Sequence, residues 1–143
     1  MMDKIHIKTH SRTELVDITS EVNMAVQKYG VKEGFCLVYV PHTTAGVTIN
    51  ENADPSVQRD IINELNKVIP QGSHYTHMEG NADAHIKSTL VGSSVSIPVS
   101  GSKLALGTWQ GIYFCEFDGP RSREAFVQII KNEQYLHKTR TYA

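Results

Sequence analysis

The sequence predicts an α+β domain: a layered or strongly bent β-sheet sandwich with helices on one side. Three observations carry this. Strand-like runs outnumber helical ones, both helical patterns before residue 70 fall between strands, and no repeat, linker or low-complexity tract interrupts the chain. At 143 residues the length suits a single domain, 1–143, burying about 70% of its unfolded surface without staples.

Ile5 and Ile7 alternate with Lys4, His6 and Lys8, the period of a strand with one dry face. Leu15, Val16 and Ile18 make a second short strand. Thr19 caps a helix over 19–29 in which Val22, Ala25, Val26 and Tyr29 fall on one stripe, and Gly30 closes it. Residues 35–40 are apolar on both faces, as in a central strand. Residues 46–50 form the next strand, paired across the His42 segment. Asp54-Pro55 starts a helix, because the carboxylate serves free N–H groups and proline at N1 forfeits no hydrogen bond. Apolar residues keep helical spacing from Val57 to Ile69, and Pro70 stops them. Residues 71–83 are polar and irregular. A short helix opens at Asp83 or Ala84 and ends at Gly92. Strands over 94–99, 103–117 and 124–130 finish the fold, the second bent or bulged at Gly107 and Gly111. Asp118-Gly119-Pro120-Arg121 joins the last two as a tight turn.

A formal net charge of −1 excludes nucleic acid or an anionic membrane as a partner held by bulk electrostatics. No apolar run reaches the ~18–20 residues of a bilayer span, and residues 1–6 lack a signal-peptide core. A cytoplasmic protein is expected. Cys36 and Cys115 sit in apolar strands without ligand spacing, so both read as reduced, buried thiols.

Polar density concentrates in three places: 41–55, 77–85, and Trp109-Gln110 followed by 116–121. Three such segments in one small chain suggest one site assembled from separate parts of the fold. His6, His10 and His137 read as solvated surface. His42 differs, ending an apolar strand that aims it rigidly, and His77 and His85 flank Glu-Gly-Asn-Ala-Asp. Three imidazoles from separate elements with an open position suit a catalytic Zn²⁺ or similar ion. Glu51, Glu79, Glu116 and Asp118 are the candidate acid–base or metal carboxylates. Glu116 points opposite to Cys115 and Phe117, so it is solvated if those two face the core and functional if it lines a cleft, and Asp118 competes with a turn-forming role. Asp54 reads as a helix cap. Arg121 and Arg123 suit either a phosphate or carboxylate fork or a subunit-interface ion pair. Asn50, Asn52, Asn81 and Gln110 fit a polar cleft better than a core. Trp109 serves as core or as a platform for a flat ring.

The stretches PHTTAGVTINENADP (41–55), HMEGNADAHIKSTLVG (77–92) and LGTWQGIYFCEFDGPRSR (106–123) resemble the YjbQ family, the secondary thiamine-phosphate synthases. The match runs in order through essentially the whole chain. The resemblance implies a compact α+β fold, a homotrimer with polar clefts between subunits, a divalent metal, and thiamine-phosphate synthase activity. It puts His42, His77 and His85 in the metal set. Glu51, Glu116, Asp118 and Arg121 become the catalytic candidates, with Asn52, Asn81, Trp109 and Gln110 as substrate contacts. The substrate would be small and phosphorylated. Its diphosphate could draw Mg²⁺, whereas imidazoles favour Zn²⁺. A metal-dependent hydrolase of a phosphate or acyl ester, and a non-catalytic trimeric metal or metabolite binder, are the competing expectations.

Overall fold

Two antiparallel sheets face each other across one apolar core in this computed structural model, which describes residues 1–72 and 74–132. The expected surface residue His137 lies outside the described residues. In chain order the elements are β1 (Met2–Lys8), β2 (Glu14–Asp17), α1 (Thr19–Tyr29), β3 (Gly34–Tyr39), β4 (Ala45–Glu51), α2 (Pro55–Val68), α3 (Ala82–Val91), β5 (Ser94–Ser100), β6 (Lys103–Leu104), β7 (Gln110–Glu116) and β8 (Ser122–Lys131). The larger sheet has the order β1-β8-β3-β5-β6 and the smaller β2-β7-β4. The α+β class, the sandwich and most element positions agree with the sequence reading.

Both sheets and α1 feed the main core. Ile5 and Ile7, Cys36 and Val38, Val127 and Ile129 come from the larger sheet, Val47, Ile112 and Phe114 from the smaller, and Val22, Ala25 and Val26 from the predicted stripe of α1. Cys115 and Phe117 point the other way, into a second cluster with Ala84 that Leu15, Leu65 and Val91 help to cover. The middle strand of the smaller sheet is therefore dry on both faces. Both cysteines are free and buried, and burial pushes their thiols up to about 11 for Cys36 and about 12 for Cys115.

Four local expectations need correction. The strand expected over 103–117 is two strands in different sheets, and a turn between Gly107 and Gln110 carries the chain across. Likewise β3 and β4 lie in different sheets, so the His42 segment is a crossover and not a paired connection. Thr19 does not cap α1 with its side chain. Asp17 does that work, its Oδ1 accepting the Thr19 amide at 2.9 Å. Finally, β3 is central, flanked by β8 and β5, but only one of its faces is dry: Phe35 and Tyr39 are 41% and 43% exposed. Elsewhere the signals hold. Gly30 adopts the left-handed conformation at the end of α1, and Asp54 accepts the Ser56 amide at 2.9 Å at the start of α2.

Candidate functional site

Three connections pass between the sheets along one edge of the sandwich: residues 9–13 from β1 to β2, 40–44 from β3 to β4, and 117–121 from β7 to β8. A strand that leaves its sheet loses ladder partners, and its buried polar groups must find others. Here the crossings bond one another. Thr9 N–H donates to Arg121 O at 2.9 Å, Phe117 N–H to Thr44 O at 3.2 Å, and Gly119 N–H to Arg12 O at 3.0 Å. A Cβ on Gly119 would stand 2.4 Å from Ser11 O, so only glycine lets these chains meet so closely. The Gly119–Pro120 peptide is cis.

Glu116 lies at the centre of this edge, on the inner face of the smaller sheet and fully buried. Arg123, buried on the inner face of β8, donates its Nε to Glu116 Oε1 at 2.9 Å and pairs again through Nη2. Thr9 Oγ1 donates to the same carboxylate at 2.7 Å, and the Asp118 amide at 3.1 Å. Burial alone would raise this carboxyl, but the hydrogen bonds from Arg123, Thr9 and Asp118 and the guanidinium charge outweigh it and hold the group below its ordinary value. Neither sequence alternative describes this. Glu116 is not solvated and lines no open cleft; it cross-links the two sheets. Arg123 is correspondingly an internal ion-pair partner, not half of an anion fork.

Asp118 anchors a second layer. It accepts Arg12 Nη1 at 3.1 Å, Asn81 Nδ2 at 2.9 Å and Arg121 Nη2 at 2.7 Å. Arg121 folds back onto its own turn, also donating Nε to Asp118 O at 2.7 Å. Asn81 Oδ1 is buried without a hydrogen-bond partner among the described residues, an acceptor left for a donor from outside. Asn81 and Arg121 thus meet on Asp118.

The histidines divide. His77 and His85 stand edge to face with ring centroids 5.3 Å apart, and His77 Nε2 lies 3.9 Å from Glu79. His85 also lines a cavity of about 390 Å³ with Thr43, Ser88, Thr89, Gly92 and Ser93. His42 does not join them as a ligand. Its Nε2 accepts the Glu124 amide at 3.0 Å, which fixes the proton on Nδ1 and leaves no lone pair for a cation. Burial first, and then the nearby Arg123 charge, lower its pKa. Among the described residues no group of three His, Cys, Asp or Glu side chains is placed to hold a metal ion. The expected trio does not assemble within one chain; two imidazoles do.

The remaining candidates lie elsewhere. In the β4–β7 register Ala45 faces Glu116 while Glu51 faces Gln110, six residues or about 20 Å along the strands. At that far end the Asn52 amide donates to Trp109 O, Gln110 Oε1 accepts the Gly107 amide, and Trp109 is 63% exposed. Gln58 of α2 ties this end down, donating to Glu51 O and Tyr113 Oη at 2.6 Å each. Glu51, Asn52, Trp109 and Gln110 therefore form their own cluster.

Sequence reasoning missed Thr9, Arg12, Thr44, Asp83 and Lys87. Asp83 and Lys87 look like an ordinary i, i+4 surface pair yet are 1% and 2% exposed. Their nearness in sequence to Asn81 and His85 was the available signal.

A family model described as UPF0047 protein YjbQ-like matches residues 3–132. UPF0047 protein MJ1081 of Methanocaldococcus jannaschii is 59% identical over 130 residues, covering 91% of this chain and 94% of that protein. UPF0047 protein YugU of Bacillus subtilis is 50% identical over 131 residues, 91% of this chain and 99% of that protein. Among solved structures, an uncharacterized YjbQ/UPF0047 protein from Clostridium acetobutylicum superposes with TM-score 0.88 at 55% identity, covering 90% of this chain and 99% of that one. A YbjQ-like protein of unknown function from Sulfolobus solfataricus gives TM-score 0.89 at 36% identity, covering 92% and 97%.

Proposed function

The chain belongs to the UPF0047 YjbQ-like family, and on that footing we propose that it is a transferase of small phosphorylated substrates, of the secondary thiamine-phosphate synthase kind. The thiazole nitrogen attacks the methylene carbon of the pyrimidine-methyl diphosphate. A C–N bond forms, the C–O bond breaks, and diphosphate leaves with the bonding pair. The observation supporting this reading is the cavity beside His85, whose volume suits a small ligand. The leaving diphosphate gains charge as it departs, and fixed donors lower that barrier. The hydroxyls of Thr43 and Ser93 are the donors at the cavity wall, and the edge-to-face contact with His77 steadies the His85 ring. A divalent ion, Zn²⁺ by ligand type or Mg²⁺ by substrate, would be held by His77 and His85 and would supply charge neutralisation for the diphosphate.

The distant cluster joins this chemistry only from another copy. In a homotrimer with sites between subunits, Trp109, Gln110, Glu51 and Asn52 of one protomer close over the His85 cavity of the next, with Trp109 as the wall against the pyrimidine ring. Incubation with both substrates tests the reaction: product well above a His85→Ala control is expected, and none would rule it out. Co-assembled His85→Ala and Trp109→Ala chains should recover part of the activity that each lacks, because one site in the mixed oligomer is intact. Recovery at the level of the separate variants would defeat the shared site.

The His77–His85 pair with Glu79 nearby favours a second reading, a metal-dependent hydrolase of phosphate or acyl esters. Phosphoester hydrolysis that requires added divalent metal and disappears in His85→Ala would select it. If neither reaction runs, the non-catalytic metabolite binder is the reading left.

A further inference from the structure

Helix α3 borders a second polar cavity, on the flank opposite His85, that the transferase reading does not use. Asp83 and Lys87 project from that flank one turn apart, both almost fully buried. A buried ammonium is costly unless its donors and its charge are both satisfied. Lys87 Nζ donates to Asn66 Oδ1 at 2.7 Å and to Asp83 Oδ2 at 3.2 Å, two of its three donors. Asp83 Oδ1 accepts Arg12 Nη2 at 3.0 Å. Arg12 reaches on to Asp118, which Arg121 also holds.

The charges along this chain of contacts alternate: Lys87 positive, Asp83 negative, Arg12 positive, Asp118 negative, Arg121 positive. Three cations share two carboxylates. The Arg121 end is half exposed and screened by water, whereas the Lys87 side chain is 3% exposed and its charge is screened far less. There a cavity of about 350 Å³ opens, lined by Arg12, Thr13, Ile62, Asn66, Gln71, Asp83 and Lys87. Both Asp83 oxygens are turned onto cations, and Thr13, Asn66 and Gln71 bring neutral hydroxyl and amide groups to the lining.

We propose that this cavity binds a small oxyanion, a phosphate held by Lys87 and Arg12, either free or as the head of a small phosphomonoester. The site stands apart from the transferase reading. It lies on the other flank of α3, and its readout is binding, not turnover.

Calorimetric titration of the full chain with inorganic phosphate, and separately with glycerol 3-phosphate, tests it. One saturable site per chain that persists in His85→Ala is expected, competed by sulfate and not by chloride, and the tighter of the two probes identifies the source. Asn66→Asp sets a carboxylate against Lys87 in place of the anion. It should fold at least as stably as the parent and bind phosphate roughly tenfold more weakly. Gln71→Glu, at the exposed mouth, should weaken binding in the same direction without touching the core. His85→Ala should leave it intact. Absence of saturation up to about 10 mM phosphate, or unchanged binding in folded Asn66→Asp and Gln71→Glu, overturns the assignment. Binding lost in His85→Ala but kept in Asn66→Asp would put the anion in the other cavity, and the proposal would be wrong.

Discussion

At the scale of single residues, Arg123 and Glu116 carry the largest consequences. Removing one member strands the other as a buried, uncompensated charge. Arg123→Met should therefore destabilise the fold by about 3–5 kcal/mol, read from urea denaturation midpoints. The double variant Arg123→Met with Glu116→Leu should recover much of that loss, because an apolar pair of similar volume carries no desolvation cost; equal losses in single and double variants would refute the account. His42 gives a pH signature. Its folded pKa is lowered from the ordinary 6.5 by burial and by Arg123, so the unfolded chain takes up the proton first. Its contribution to stability is complete above pH 6.5 and is lost as pH falls toward the folded value. Glu116, lowered from 4.5, adds a second loss below that pH. Denaturation at about pH 7.5 and 5.5 should show a drop in the parent that is smaller in His42→Gln. Equal drops would mean that His42 is not the group responsible.

Among the elements, α2 is the most loosely built. It carries an apolar stripe yet none of its residues is buried, and Gln58 is its hydrogen-bonded tie to β4. With so little packing behind it, local capping has weight. Asp54→Ala, which removes the acceptor for the Ser56 amide and hydroxyl, should cost about 1 kcal/mol. Hydrogen exchange should show α2 opening earlier while α1 and the sheets stay protected. Uniform protection across the chain would show that the cap matters little. The three sheet-crossing connections behave in the opposite way, since each is bonded to another and to the buried ion pair.

For the whole molecule, the outer face of the larger sheet carries exposed apolar side chains. Phe35 pairs with Ile130 and Tyr39 with Phe126 across β3 and β8, and Tyr39 and Phe126 have ring centroids 6.3 Å apart. Phe35, Tyr39 and Ile130 are exposed there. The homotrimer reading predicts that the chain sediments as a trimer. Phe35→Lys with Tyr39→Lys should shift it toward monomer with the fold retained by circular dichroism. A monomeric parent, or a trimer indifferent to both charges, would remove that face from the assembly. Among the described residues no helix is long and apolar enough to cross a membrane.

Much of the fold was legible because it depends on local pattern. Alternation gave β1, the i, i+3, i+4 stripe gave α1, Asp54-Pro55 and Gly30 gave helix ends, and three motif stretches carried the resemblance to the family. Hydrophobic period and backbone stereochemistry act within a few residues, so sequence alone carries them. What only the tertiary structure decided is which sheet each strand joins and which polar groups then meet. Glu116 and Arg123 are seven residues apart on strands of different sheets, and Thr9 reaches the same carboxylate from near the other end of the chain. Such pairings depend on where the backbone crosses between layers, and no local periodicity encodes that. His42 lies not at the end of β3 but in the crossover beyond it, and its Nε2 accepts a backbone amide there, because its connection leaves one sheet for the other.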